Sequence, residues 1–493
     1  MKKTLQKINK EILIIFATLL LWVIFMGILD YNIIIFNYNP IYLIVGIALY
    51  IPILLFLYIK IIPKIEKNKY LPYIIWGIFT ILCVTISLIL KVNPSWDMGT
   101  VHNIAIDYAS SGHTESNYLY QFPNNIMLML IYYIIFKFFI ILKVTDYVTI
   151  STIFNALIIS LTVLLLYVNV KKMFDNKKAL MVLIISLFTT PLYLYGAIYY
   201  TDTLSMFMVM LMIYVFLKLK EFNGKLACRL ILSAFLGMII FMAIKIKITT
   251  SFIIIAYFIF EMLNMNLKEF IKWDTLVILL TIIIMTIIFG IVVNKKILNN
   301  NELNDSLKIP MQNWIMIGLN GTGVYNDEDY AYIYQYPTYE EKKEASLEKI
   351  RERLGGFDSN TFIKHLNQKL KYTWTDGTYF APEKLRREPI NYNTLHEIVL
   401  PSGKYCKYYK YLPQVMHFSM LILIFIVSLD LIKNKKFNDK NIIFIITTFG
   451  FMLFFLIWEN RSRYILTNVP IMMIIELNGI EILSNKRLGV KNK

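Results

Sequence analysis

The sequence predicts an all-α polytopic membrane protein, and three observations carry that prediction. Of its 493 residues, 57% are hydrophobic and 17% are charged; a soluble chain carries about 25% charge. The apolar residues come in runs of about 17 to 25, the length that spans roughly 30 Å of hydrocarbon as a helix. Lysines gather between the runs, where a chain meets lipid headgroups. Only closed helices satisfy their backbone groups in lipid at these lengths.

Thirteen apolar segments can be counted, at 11–30, 41–62, 72–91, 126–143, 148–170, 179–198, 203–219, 229–246, 249–265, 275–294, 413–432, 441–458 and 464–483. The first is too long for a signal-peptide core and lacks an Ala-x-Ala cleavage pattern, so it reads as a retained helix. The net charge of +17 sits at segment ends and does not point to nucleic acid. Cys83, Cys228 and Cys406 form neither a disulfide framework nor a zinc spacing.

Orientation follows from the basic loops. Lys2, Lys3, Lys7 and Lys10 place the N-terminus inside, and segment three then delivers Asp97 outside. If segment four (126–143) crosses fully, the basic stretch 171–178 falls outside. If it does not cross, the basic clusters at 171–178, 218–229, 268–272, 433–440 and 486–493 all fall inside. The expected topology is therefore twelve net crossings, both termini cytoplasmic, with segment four re-entrant or lying along the outer face.

Three units follow: an N-terminal transmembrane module (1–295), an extracytoplasmic loop subdomain (296–412) and the C-terminal helices (413–493). The loop is far too long for a simple connection. It should hold an amphipathic helix over 339–354, with Leu347, Ile350 and Leu354 on one side and Gly355-Gly356 ending it. A second helix is expected over 360–372.

The polar window 92–125 holds the first candidate chemistry. Asp97, beside Trp96, can act as a base toward an incoming hydroxyl or amine, or be a solvated loop acid. Asp202 follows two tyrosines at a helix start, where an acid also caps the helix and meets its dipole. Together the two carboxylates could orient an acceptor or a divalent ion, but no motif fixes a metal and the cofactor is left unassigned. Lys245 and Lys247 interrupt an apolar run, either snorkelling to headgroups or binding a lipid phosphate. Arg461 and Arg463 break the positive-inside pattern, and Arg presents a fork suited to phosphate; pairing with Glu459 or with headgroups is the alternative. Trp96, His102, Glu115 and Tyr120 in the window, Trp374 in the long loop and Tyr464 in the late turn are candidate acceptor or sugar contacts. The histidines show no metal-ligand spacing.

The order of these pieces resembles the GT-C glycosyltransferases, specifically the bacterial relatives of the dolichyl-phosphate-mannose–protein mannosyltransferases. The likeness rests on Ser95-Trp96-Asp97, on Tyr120-Gln121-Phe122-Pro123, on the run through Thr190-Pro191-Leu192-Tyr193 to Tyr200-Thr201-Asp202, on Lys245 to Thr250, and on Trp458 to Tyr464. It covers most of the chain up to about 265 and again from 440. Asp97 is followed by Met98 where that family often has paired acids, so a second acid in this loop would have to be Asp107 or Glu115. The resemblance implies a polyprenyl-phosphate sugar donor, an envelope polymer, protein or lipid acceptor, and inverting transfer outside the cytoplasmic membrane. The rival class is a transporter or flippase for a lipid-linked saccharide, which should carry charged residues near the bilayer midplane; the sequence read this way shows none. A non-catalytic envelope-assembly partner is the third reading.

Overall fold

A computed structural model describes residues 2–29, 38–264, 272–298 and 306–489. The basic positions 268–271 and 490–493 lie outside them. The first helices are α1 (Lys2–Leu29), α2 (Pro40–Phe56), a π-helical turn (Leu57–Ile61) leading into α3 (Ile62–Ile65), and α4 (Leu71–Ile89). Next come α5 (Trp96–Ser110), α6 (Tyr118–Gln121), α7 (Ile126–Ile141), α8 (Tyr147–Met173), α9 (Asn176–Phe188), α10 (Thr190–Tyr195), α11 (Thr201–Glu221), α12 (Leu226–Ile246), α13 (Phe252–Leu263) and α14 (Trp273–Lys296). The long loop holds α15 (Gln312–Gly318), α16 (Asp327–Ile333), α17 (Tyr339–Gly355), α18 (Ser359–Trp374), α19 (Ala381–Leu385), α20 (Thr394–Val399) and α21 (Cys406–Tyr409). The chain closes with α22 (Tyr411–Lys433), α23 (Asn441–Ile457), a 3-10 stretch (Ser462–Asn468) and α24 (Val469–Arg487). Among the described residues there is no strand, and ten helices are long and apolar enough to cross a membrane.

The basic segments share one end of the bundle. Asn9 donates to the Phe437 carbonyl, Lys177 sits over the Tyr58 ring, Lys172 pairs with Glu221, and Lys178 bonds Asn478. The opposite end carries the window 92–125, the starts of α8 and α11, the end of α12 and the long loop. Asn93 N–H donates to Glu388, Trp22 reaches Asn367, and Glu459 N–H donates to Trp314.

Segment four keeps both its ends at that loop-bearing end. α8 and α11 run side by side in one direction: Asn155 accepts from Thr203, and Asn169 donates to the Met210 carbonyl. Their starts therefore lie together. α7 is tied to the start of α11 by the Tyr200 hydroxyl on Asn125, and to the start of α8 by the Phe136–Tyr147 ring contact. Although α7 and its preceding turn have the length of a span, the chain enters and leaves them at the same end.

Several expectations need correcting. The polar window is not a loop: residues 96–110 form α5, with Met98, Val101, Ala105 and Ala109 buried on one face, the spacing of an amphipathic helix. Segment 179–198 is two helices, broken before Pro191, whose ring lacks an amide hydrogen. α17 has the expected bounds and a Thr338/Glu341 capping box, but it packs through Lys342, Ala345, Ser346 and Arg353, while Leu354 stays 48% exposed. An acid does lie deep in a span: Glu476, 2% exposed, halfway along α24, lining a cavity with Tyr50, Tyr379 and His417.

Candidate active site

The site is built where α5, α11, α12 and the turn before α24 meet beneath the long loop. Asp202, in the first turn of α11, is 2% exposed. Its Oδ1 accepts from Lys247 Nζ at 2.5 Å, and Arg463 Nη1 stands 3.7 Å from Oδ2. Lys247 is the residue at which α12 ends and the chain becomes extended, so its ammonium turns inward rather than toward lipid. Arg463 is the second residue of the 3-10 stretch, and its guanidinium lies against three rings, 5.0 Å from Trp96, 5.6 Å from Tyr200 and 4.9 Å from Tyr464.

Trp96 opens α5 with φ of 49°, in the left-handed region. For a bulky residue this costs about 1–3 kcal/mol and persists only where surroundings over-determine it. Here the Lys384 ammonium sits 3.4 Å from the ring centre and Tyr200 packs edge-on at 4.8 Å. Asp97 follows, half-buried, with the Tyr118 hydroxyl beside it. That hydroxyl accepts from Asn125 Nδ2 at 2.8 Å, and Asn125 Oδ1 accepts from Tyr200 at 3.0 Å. A chain of three side chains, Tyr200, Asn125 and Tyr118, therefore runs from the residue before α11, the helix that holds Asp202, to the side of Asp97.

The long loop supplies basic side chains of its own. A bridge between Val92 and Pro389 lays residues 384–390 over the window. Asp376 fixes the approach: it accepts from Thr378 N–H, Phe380 N–H and the hydroxyls of Thr378 and Ser462. Lys384 is buried, and burial together with the Arg463 and Arg387 guanidiniums pushes its ammonium down to about 5. Arg461 lies over the Phe380 ring at 4.7 Å. Glu459, also buried, is raised by that burial; the Tyr464 hydroxyl, 2.7 Å away, and the arginines act against it.

The structure thus brings together Asp97, Asp202, Trp96, Lys247, Arg461, Arg463 and Tyr464. Lys245 is elsewhere, on the α14 side of α12 with its ammonium over Phe289. His102 faces the other way, between Phe136 and Tyr199, where burial lowers its pKa. Glu115 is exposed in the turn after α5, and Asp107 accepts from Thr114 at the far end of that helix. Tyr120 packs toward Tyr108. Trp374 is 0% exposed, its carbonyl accepting from His417, so its ring offers no face to a ligand. Lys384, Arg387, Asp376, Tyr118 and Asn125 are members that sequence reasoning missed. The run Lys384-Leu385-Arg386-Arg387 in the long loop was a usable signal, of the same kind as Arg461 and Arg463. Among the described residues no three His, Cys, Asp or Glu side chains converge as metal ligands.

The fold and the span-length helices define a multi-pass helical integral membrane protein. Residues 4–481 match the model of a family described as a conserved hypothetical integral membrane protein, and the chain belongs to that family. Comparison with curated proteins gives no match.

Proposed function

We propose that the chain is a membrane glycosyltransferase of the GT-C kind, moving a sugar from a polyprenyl-phosphate donor to a cell-envelope acceptor. On this reading the basic end of the bundle faces the cytoplasm with both termini, and the site lies at the outer face of the cytoplasmic membrane. The observation that carries it is the convergence of Lys247, Lys384, Arg387, Arg461 and Arg463 next to one half-exposed carboxylate, Asp97.

The step needs few groups. Asp97 takes the proton of the acceptor hydroxyl as its oxygen attacks the anomeric carbon. The bond from that carbon to the phosphate oxygen breaks with inversion, and the phosphodiester leaves as a phosphomonoester with one more negative charge. Lys247, Arg387, Arg461 and Arg463, charged and held by the protein beforehand, stabilise that charge without reorganising. Asp202 works through others: it keeps Lys247 and Arg463 in place and charged.

The test is turnover of a polyprenyl-phosphate sugar by the purified protein in nanodiscs, read as release of polyprenyl phosphate. Asp97→Asn should abolish it. A protein that binds such lipids but never cleaves them would instead be a carrier. Glu476 favours that second reading, a transporter or flippase for a lipid-linked saccharide, because an acid buried within a span is costly and commonly functional.

A further inference from the structure

An aromatic wall stands beside Asp97, made by the 118–125 turn and the loop helices α15 and α16. Phe122 lies 4.8 Å from Tyr118, 6.2 Å from Trp314 and 6.4 Å from Tyr330, nearly parallel to the last at 7°. Tyr325 and Tyr334 flank Tyr330 at 5.8 and 4.8 Å. The outer two rings are each 37% exposed, and Phe122, Trp314 and Tyr330 are only partly covered. Tyr118, against which Phe122 packs, places its hydroxyl beside Asp97 at the foot of the wall.

The wall is held rigidly. Asp329 of α16 receives two charge-assisted bonds from Arg353, at 2.5 and 2.9 Å, and further bonds from Asn320 and Asn326. Residues that only anchored a loop in headgroups would not need this support, nor a carboxylate at their foot.

We propose that this wall is a subsite for a carbohydrate-polymer acceptor, seating sugar rings so that one hydroxyl reaches Asp97. The proposal rests on the transferase reading and names its acceptor class. A pyranose presents a face of C–H groups and a rim of hydroxyls. Rings with an electron-rich face and a polar tip match both, and the paired Tyr330 and Tyr334 hydroxyls, 2.7 Å apart, supply the rim partners. A peptide acceptor would call for an open strand edge or side-chain pockets, and no strand is present among the described residues. A lipid acceptor would enter between helices within the bilayer, whereas this wall is carried by loop elements.

The test compares envelope from cells with and without the protein, separated into polysaccharide, protein and lipid fractions and analysed by mass spectrometry. The expected result is a protein-dependent sugar on polysaccharide. It should fall at least tenfold in Phe122→Ala and Tyr330→Ala cells, while purified variants still release polyprenyl phosphate from the donor by hydrolysis. The sugar on protein or lipid overturns the acceptor class, and normal transfer by both variants overturns the wall as its seat. A protein-dependent sugar in no fraction, with no donor turnover, overturns the transferase reading beneath it.

Discussion

Lys247 Nζ lies 2.5 Å from Asp202 Oδ1, the carboxylate buried and the lysine mostly covered, at the end of the bundle that carries the long loop. Arg463 Nη1 adds a second cation 3.7 Å from the other oxygen. One carboxylate therefore balances two positive side chains. Removing one partner of a buried pair costs about 3–5 kcal/mol because the other charge is left without compensation.

Asp202→Asn is accordingly expected to lower thermal stability in detergent as well as activity. The charge-cancelled double variant Asp202→Asn/Lys247→Met should regain most of the stability and none of the activity. Thermal unfolding of the two variants separates these effects. An Asp202→Asn protein as stable as the wild type would remove the anchoring role.

Asp97 should behave differently, because it is half-exposed and the group beside it, the Tyr118 hydroxyl, is a neutral phenol. Asp97→Asn is expected to retain wild-type stability and donor binding while transfer falls by a hundredfold or more, the scale of about 10²–10⁴ for a positioned base. Tyr118→Phe, which removes only the hydroxyl beside it, should lose less. Side-by-side binding and turnover measurements decide it; near-normal turnover in Asp97→Asn would leave the residue a loop acid.

Much of the fold was legible because hydropathy and basic loops obey solvent physics that tertiary context seldom overrides. The basic clusters within the described residues do share one end, and α7 does begin and end at the other. The window's helix was legible too, in Met98, Val101, Ala105 and Ala109, but its polar residues drew attention away from that period. The site was legible in part. Asp97, Lys247 and Arg463 stand out because charge is rare beside apolar runs. Lys245, two residues away, looks identical in sequence, yet the helix ends between them and sends the two ammoniums to opposite sides. Lys384 could not be placed at all, since only the long-range bridge of Val92 to Pro389 brings it onto Trp96. Trp374 shows the converse: an aromatic in a long loop that turns out to be core.

The sidedness of the membrane reading is open to direct labelling. Cysteines introduced at 171–178 should react with an impermeant maleimide only after the membrane is permeabilised. Cysteines at exposed Glu115 or Tyr325 should react in intact cells. Outside labelling at 171–178 would reverse the orientation and move the site to the cytoplasmic face.

Arg463 is wedged among the rings of Trp96, Tyr200 and Tyr464. A flat guanidinium stacks there and still presents a fork to phosphate, which an ammonium does not. Arg463→Lys should therefore lose about a hundredfold in rate, within the range for one oxyanion donor, with a smaller loss of stability than Arg463→Ala. Rates within twofold of wild type for both would show that Arg463 serves only to neutralise Asp202.

Lys384 makes the last expectation one of pH. With burial and two guanidiniums holding its ammonium at about 5, it is neutral in the empty site at pH 7. A phosphate brought beside it favours the charged form and raises that value. The bound state then carries more protons than the free one between pH 5 and the raised value, so affinity must fall as pH increases across that window and level off below about 5. A lipid-linked sugar is a suitable probe, because its phosphodiester does not itself titrate there. Binding of such a donor in nanodiscs should therefore weaken from pH 5.5 to 8 in the wild type and lose that slope in Lys384→Met, which keeps the apolar stem over Trp96 without the titrating group. A Lys384→Met protein with the wild-type slope would assign the pH dependence to another group and remove Lys384 from the phosphate's neighbourhood.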